Sequence, residues 1–121
     1  MLLHVNSASQ YFLYTGATDM RKGFDSLSGI VTSLMQSNPL SKDVYVFINR
    51  RHNQIKLLQW EGDGFSVYYK RLEKGSYTLP ACTPQQYCIM LPITQLQMML
   101  DGVSMQRRYH CKRYQHVPHN C

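Results

Sequence analysis

Three closely spaced runs of alternating side chains, between residues 44 and 72, constrain the fold of this chain more than any other feature. The runs cover residues 44–49, 55–60 and 65–72. In each run two sets of side chains alternate, as Val44, Val46 and Ile48 do with Tyr45, Phe47 and Asn49, and a period of two is that of a β-strand. Their connections are short, and the second contains Asp63-Gly64, a pair typical of hairpin turns. Strands joined by such short loops pair antiparallel, so the sequence predicts a three-stranded antiparallel meander.

A helix is predicted before the meander. Apolar residues recur there at steps of four, three, four and three, which is the helical period. They are Met20, Phe24, Leu27, Val31 and Leu34. Thr18 or Asp19 is a suitable N-cap, and Pro39 ends the helix because proline disfavours helical geometry in the residue before it. We therefore expect one long N-terminal helix, from about residue 19 to about residue 36, to cover one face of the sheet.

The flanking segments add smaller elements. Residues 10–14 predict a first strand that ends at a Thr15-Gly16 turn, and residues 86–91 predict a further strand. A short helix is expected from Thr94, its N-cap, through Leu100. The expected fold is an α+β domain over residues 1–103, in which an antiparallel β-meander packs against one long N-terminal helix, with a short C-terminal helix. Residues 104–121 form a basic tail that contains no acidic residue.

The charge balance points to a polyanionic partner. The 121 residues include 13 Lys and Arg against 7 Asp and Glu, which gives a formal net charge of +6. Nucleic acid is a polyanion that such an excess of cations commonly meets. A hydrophobic fraction of 44% excludes a wholly disordered chain, and the length excludes barrel enzymes, which need ~250 residues.

The sequence predicts a cytoplasmic protein. No run approaches the ~20 apolar residues that cross a bilayer, and the start of the chain lacks the cationic residues and long apolar stretch of a signal peptide. The four cysteines form no Cys-x-x-Cys pair. We interpret them as reduced thiols, which are the rule in the cytoplasm.

Two segments carry cations in positions suited to phosphate. The first is a turn followed by a predicted helix N-terminus, where free N–H groups favour an anion, and the second is the hairpin tip at residues 50–53. The phosphate candidates of the folded domain are Arg21, Lys22, Arg50, Arg51, Lys56, Lys70 and Arg71, and those of the tail are Arg107, Arg108, Lys112 and Arg113. Trp60, on the same strand as Lys56, is a candidate for stacking on an unpaired base.

Each of these features also has a purely structural interpretation. Arg21 can pair with Asp25 at i,i+4 or with the nearby Asp19. The hairpin tip can be a solvated turn, and Trp60 can fill the core, as most tryptophans do. DNA contact therefore requires that the surplus cations lie on one side of the domain and are not each paired with an acid.

Catalytic and metal-binding patterns are weaker. Asp63 and Glu73 lie near cations and are the carboxylates that a metal-dependent nuclease would use. Asp63 belongs to a tight turn, however, and nothing in the spacing makes the two carboxylates converge on one point. The tail residues Cys111, His116, His119 and Cys121 lack the paired spacing of zinc ligands. We expect a protein that is not an enzyme and that needs no cofactor or metal.

Several motifs occur in a fixed order along the chain. They are Asp19-Met20-Arg21-Lys22-Gly23-Phe24-Asp25, Val44-Tyr45-Val46-Phe47 with Arg50-Arg51, Ile55-Lys56-Leu57-Leu58, Trp60-Glu61-Gly62-Asp63-Gly64-Phe65 and Tyr69-Lys70-Arg71-Leu72-Glu73-Lys74-Gly75. In this order they closely resemble the small TnpB-type accessory protein of insertion-sequence-66 transposons, over about residues 9–80 and more weakly to about residue 103. The chain does not resemble the much longer RNA-guided nucleases that share the name TnpB.

The resemblance implies a bacterial mobile-element protein that supports transposition beside a separate, larger transposase. It implies no known catalytic activity. The resemblance implies the transposase and other helpers encoded by the element as partners, and the excess of cations predicts DNA as a further partner, at transposon ends or without sequence preference. One departure from the family pattern is His52-Asn53-Gln54, which stands where a glycine-containing tip is more usual.

The sequence also allows a second function, namely that of a protein-only adaptor that binds the transposase or another helper. The chain has nine tyrosines, and tyrosines favour protein interfaces. Tyr45, Tyr68 and Tyr69 are expected at the surfaces of the sheet. The adaptor would bind the transposase in the absence of DNA, whereas a DNA-contacting protein would bind DNA by itself.

Overall fold

The computed structural model describes residues 9–81, 83 and 85–101, which form one sheet and two helices. In chain order, the elements are β1 (Tyr11–Ala17), α1 (Phe24–Ser33), β2 (Val44–Ile48), β3 (Gln54–Trp60), β4 (Phe65–Arg71), β5 (Cys88–Leu91) and α2 (Ile93–Asp101). The three strands of the meander, the first strand, the last strand and the short second helix all occur where the sequence predicts them, with small differences at their ends.

The strands form a mixed sheet, in the order β4-β3-β2-β1-β5. β2, β3 and β4 are the predicted antiparallel meander, and β5 pairs antiparallel with β1. β1 and β2 are parallel, because the chain returns through α1 to the end of the sheet at which β1 begins, and β2 starts there. The prediction of a purely antiparallel sheet was therefore wrong, since it did not assign β1 a partner.

Both faces of the sheet are covered. On the first face, Leu27, Val31 and Met35 pack against Tyr45, Phe47 and Leu58. On the second face, Leu96 and Met99 of α2, together with Tyr77 and Leu79, join the apolar side chains of Tyr11, Leu13, Val44, Val46, Ile48, Ile55, Leu57 and Leu91. All five residues of β2 are buried as a result, which is the pattern of a central strand between two layers.

The prediction of one long N-terminal helix was wrong. α1 has 10 residues and follows the first strand, with Gly23 in extended geometry as its N-cap. Asp19 and Arg21 form a local turn in place of the first helical turn, because the Asp19 carboxylate accepts a hydrogen bond from the Arg21 N–H at 2.9 Å. Aspartate commonly competes with helix formation in this way. At the other end the helix stops before Pro39 is reached, since Gln36 adopts a left-handed φ of 52°.

The predicted turn at Thr15-Gly16 is part of β1 instead. The strand continues to Ala17, with a shift in its pairing to β2 between Leu13 and Ala17. The Tyr14 ring folds back over Gly16, and a Cβ at residue 16 would lie 2.6 Å from the Tyr14 hydroxyl oxygen. Glycine is therefore present for close packing within a strand and not for a turn.

Gly102 and the basic tail at residues 104–121 lie outside the described residues, so the predicted division at residue 103 stays a prediction. Neither helix of the described part of the chain is long and apolar enough to span a lipid bilayer.

Candidate nucleic-acid interface

The turn between β2 and β3 is organised by one asparagine side chain. The Oδ1 atom of Asn49 accepts hydrogen bonds from the backbone N–H groups of Asn53, at 3.0 Å, and Gln54, at 2.9 Å. Its Nδ2 atom donates to Oδ1 of Asn53 at 2.7 Å. His52 occupies the left-handed region, with φ of 61°, a backbone conformation that glycine adopts without steric cost. Arg50 and Arg51 are exposed at the tip of this turn, whose backbone is fixed by the hydrogen bonds of the Asn49 side chain.

Replacing Asn49 with alanine is expected to lower the free energy of unfolding by about 1–3 kcal/mol, because two half-buried backbone donors lose their acceptor. Urea denaturation followed by circular dichroism measures this change. Asn49→Asp is the matched control, since it keeps the accepting oxygen, and we expect it to cost less than the alanine variant. Equal losses for the two variants would contradict this role of the acceptor.

The segment before α1 lies beside the same turn. The Thr18 N–H donates to the Ile48 carbonyl oxygen at 2.9 Å, which holds the segment against the end of β2. A cleft of about 530 Å³ opens between them. It is lined by residues 17–20 on one side and by Asn49, Arg50, Arg51, Asn53 and Gln54 on the other.

Arg21 is paired within this segment. Its Nη2 atom lies 2.6 Å from Oδ2 of Asp19, in the one ion pair found within the described residues. Hydrogen bonds from the Arg21 guanidinium and N–H hold the pKa of the Asp19 carboxyl well below its usual range. The pairing alternative was therefore correct for Arg21, but its partner is Asp19. Arg21 and Asp25 do not lie on the same helical turn, because α1 begins only at Phe24.

Lys56 connects the segment before α1 to the edge of the sheet. Its Nζ atom donates to the Lys22 carbonyl oxygen at 2.8 Å and lies 5.0 Å from the centre of the Tyr69 ring. Tyr69 is the cross-strand partner of Lys56, and its hydroxyl donates to Oε1 of Gln54 at 2.7 Å. Arg71 is in turn the cross-strand partner of Gln54.

These contacts bring five predicted phosphate candidates to one end of the sheet. We call Lys22, Arg50, Arg51, Lys56 and Arg71 the basic end. In the part of the chain that the structure describes, none of the five forms an ion pair with a carboxylate. All except Lys56 are exposed, and Lys56 is half-buried. The basic end also lies near the N-terminus of α1, where the helix dipole adds positive potential.

Lys70 lies on the opposite face of the sheet. Its cross-strand partner is Ile55, in the second-face core, and its Nζ atom donates to the Leu100 carbonyl oxygen at 2.7 Å. A cation at this position satisfies a carbonyl of the last turn of α2 and complements the negative end of the helix dipole. The tail candidates Arg107, Arg108, Lys112 and Arg113 lie outside the described residues.

The aromatic ring at the basic end is Tyr69, and not Trp60. Trp60 is at the far end of β3, where it packs edge-on against Phe65 with ring centres 5.0 Å apart. The expectation that three tyrosines lie at the sheet surfaces was correct for Tyr69, which is 51% exposed, and wrong for Tyr45, which is 1% exposed beneath α1. Tyr68 is half-buried against the second-face core.

Asp63 and Glu73 cannot share a metal ion in this fold. Asp63 precedes β4 and Glu73 follows it, so the two carboxylates lie at opposite ends of a strand of seven residues that spans about 20 Å. Across the described residues, no group of three or more histidine, cysteine, aspartate and glutamate side chains converges on a point that could hold a metal ion. Cys111, His116, His119 and Cys121 of the tail lie outside the described residues.

Sequence reasoning placed Asn49 and Gln54 in the hairpin tip, but it did not predict that Asn49 bonds the turn backbone, that Gln54 accepts from Tyr69, or where Tyr69 lies. An asparagine just before a tight turn is a recognisable signal for a side chain that bonds the turn backbone. The meeting of Lys56 and Tyr69, in contrast, depends on the register between β3 and β4.

Comparison with known proteins confirms the family resemblance of the motif order. A family model described as IS66 Orf2 like protein matches residues 9–110. Among individual proteins, the chain is 33% identical over 92 residues to the uncharacterized protein y4hO of Sinorhizobium fredii, which covers 76% of this chain and 78% of that protein. It is 30% identical over 66 residues to the uncharacterized protein y4jC of the same organism, which covers 54% of this chain and 56% of y4jC. No solved structure matches the chain significantly.

Proposed function

Because the chain belongs to the family of IS66 Orf2-like proteins, its role is an accessory one in transposition, and we propose that it performs this role by contacting DNA without catalysing a reaction on it. The observation that carries the proposal is the basic end, where five cations share one end of the sheet. Arginine and lysine in such a cluster bind phosphate oxygens and release counterions from DNA.

Not all candidates contribute equally to the proposed interface. Arg21 would have to leave Asp19 to reach a phosphate, and Lys70 would have to leave the Leu100 carbonyl oxygen. The primary contacts are therefore assigned to the basic end. The cations of the tail add affinity that does not depend on DNA sequence, and the larger transposase is the partner that acts on the same DNA.

The salt dependence of DNA binding tests this proposal. Fluorescence anisotropy with a transposon-end duplex and an unrelated duplex, each titrated at several salt concentrations, gives the slope of log K against log salt. If about six phosphates are neutralised, the slope should lie near −5 on both duplexes. A flat response, or no binding at low salt, would overturn the proposal.

A protein-only adaptor is the second candidate, and edge strand β5 favours it. Met90 on this strand is 59% exposed, Tyr87 just before it is 53% exposed, and Ile93 at the start of α2 is 38% exposed. Exposed apolar side chains beside a strand that ends the described sheet are typical of protein interfaces. Co-purification with the transposase that survives nuclease treatment and is lost in Met90→Lys would support the adaptor. Co-purification that disappears with nuclease would assign the association to shared DNA.

A further inference from the structure

Tyr69 combines exposure with a fixed orientation. The ring lies on β4, an edge strand of the described sheet, and half of its surface is open to solvent. Its hydroxyl is held by the hydrogen bond to Gln54, and the Lys56 ammonium lies 5.0 Å from its ring centre. The hydrogen bond and the Lys56 ammonium, which lies over the ring, hold the exposed side chain in one orientation.

The surroundings of the ring match the chemistry of a strand-binding surface. Arg71 is two residues further along β4 on the same face, and Lys56 is directly opposite on β3. An aromatic face between cations is the arrangement that proteins use for unpaired nucleotides: bases stack on the ring while the cations follow the backbone. In duplex DNA the faces of the bases are already stacked on one another, so a ring at the protein surface cannot reach them.

We infer that Tyr69 is a stacking platform for an unpaired base, and that the basic end binds single-stranded DNA in preference to duplex. This inference rests on the proposed DNA contact and narrows it to a DNA class. Single-stranded DNA is the occupant favoured by the observations because the ring lies among cations, whereas the exposed apolar residues of β5 lie on the other edge of the sheet.

A thermodynamic cycle separates the contribution of base stacking to the binding affinity from the contribution of the phosphate charges. The probes are an oligo-thymidine strand and a fully abasic strand of the same length, which carry the same phosphates. Affinities of both are measured by anisotropy for the wild-type chain and for Tyr69→Leu. The wild-type protein should prefer the thymidine strand by about 5- to 150-fold, the range expected when one base stacks on an aromatic ring, and Tyr69→Leu should lose that preference.

Two further variants control the cycle. Tyr87→Leu removes a ring of similar exposure at the opposite edge of the sheet and should keep the full preference for bases. Tyr69→Phe keeps the ring and loses only the bond to Gln54, so most of the preference should remain. The comparison of the two strands on wild-type protein is informative even if a variant fails to fold.

The outcomes distinguish the inference from the proposed function. Equal wild-type affinity for the thymidine and abasic strands, with a steep salt slope on both, overturns stacking and leaves the DNA contact standing. A preference for bases that persists in Tyr69→Leu also overturns the inference. Absence of binding to either strand and to duplex overturns both.

Discussion

Replacing Lys22, Arg50, Arg51 and Arg71 together with glutamine is expected to lower the affinity for duplex DNA about 600-fold at physiological salt. Each phosphate contact contributes a slope of about −0.9 to the dependence of log K on log salt, which corresponds to about fivefold in affinity at about 0.15 M. The four side chains are exposed and form no ion pair within the described part of the chain, so their loss should leave the fold intact. Anisotropy titrations should show the slope falling from near −5 to about −2.

A single charge elsewhere supplies the matched control for this variant. Lys42 is exposed just before β2, at the end of the sheet opposite Arg50 and Arg51. Arg51→Gln should weaken binding about fivefold, whereas Lys42→Gln should change it little. Equal effects of Lys42→Gln and Arg51→Gln would mean that binding follows net charge alone, and would refute the assignment to the basic end.

Replacing Phe47 with alanine is expected to lower the free energy of unfolding by about 3–5 kcal/mol. Phe47 is fully buried in the middle of the central strand, where it lies under α1 and 6.2 Å from the Tyr14 ring centre. Both layers meet at β2, so the cavity left by the ring cannot be closed by a movement at the surface. Because domains of this size have about 5–15 kcal/mol in total, the variant should be partly unfolded near 37 °C.

Chemical denaturation followed by circular dichroism measures the Phe47→Ala change. Leu34→Ala is the control, since Leu34 is a large apolar residue at the end of α1 that is 45% exposed. It should cost less than about 1 kcal/mol, because most of the leucine surface is already in water. A loss below about 1 kcal/mol for Phe47→Ala would contradict the two-layer packing around β2.

The strands were predictable from the sequence because their signals are local. Period-two alternation and the short turns at residues 50–53 and 61–64 depend only on neighbouring residues, and β2, β3 and β4 pair as these signals indicate. The helix was not predictable to the same degree. Of the apolar period from Met20 to Leu34, Leu27 and Val31 are buried in the first-face core, whereas Phe24 and Leu34 are about half exposed. Met20 packs on that core from a non-helical segment. Its period alone does not reveal that Asp19 and Arg21 form a turn.

The cations of the candidate site were predictable as a set, but not as an arrangement. Arg50 and Arg51 are adjacent in the sequence, so their common position at the hairpin tip follows from the turn alone. Arg21 and Lys70 belong to the same set by charge, yet the structure gives one a carboxylate partner and the other a carbonyl partner. The partner of Lys70 comes from a segment 30 residues away, and the pairing of Arg21 depends on the geometry of a local turn. The charge pattern of the sequence contains neither kind of information.

The meander, the family and the excess of cations can all be recognised along the chain, because alternation, motif order and charge do not depend on how distant segments pack. Which cations lie together depends on contacts between segments that are far apart in the sequence. The pairing of β1 with β2 and of β2 with β3 brings Lys22 to Lys56, 34 positions away, and the register of β3 with β4 places Tyr69 beside Lys56. A shift of one residue in that register would move Tyr69 to the opposite face of the sheet, and the register is set by the geometry that the turn at residues 61–64 adopts, which the charge pattern does not contain.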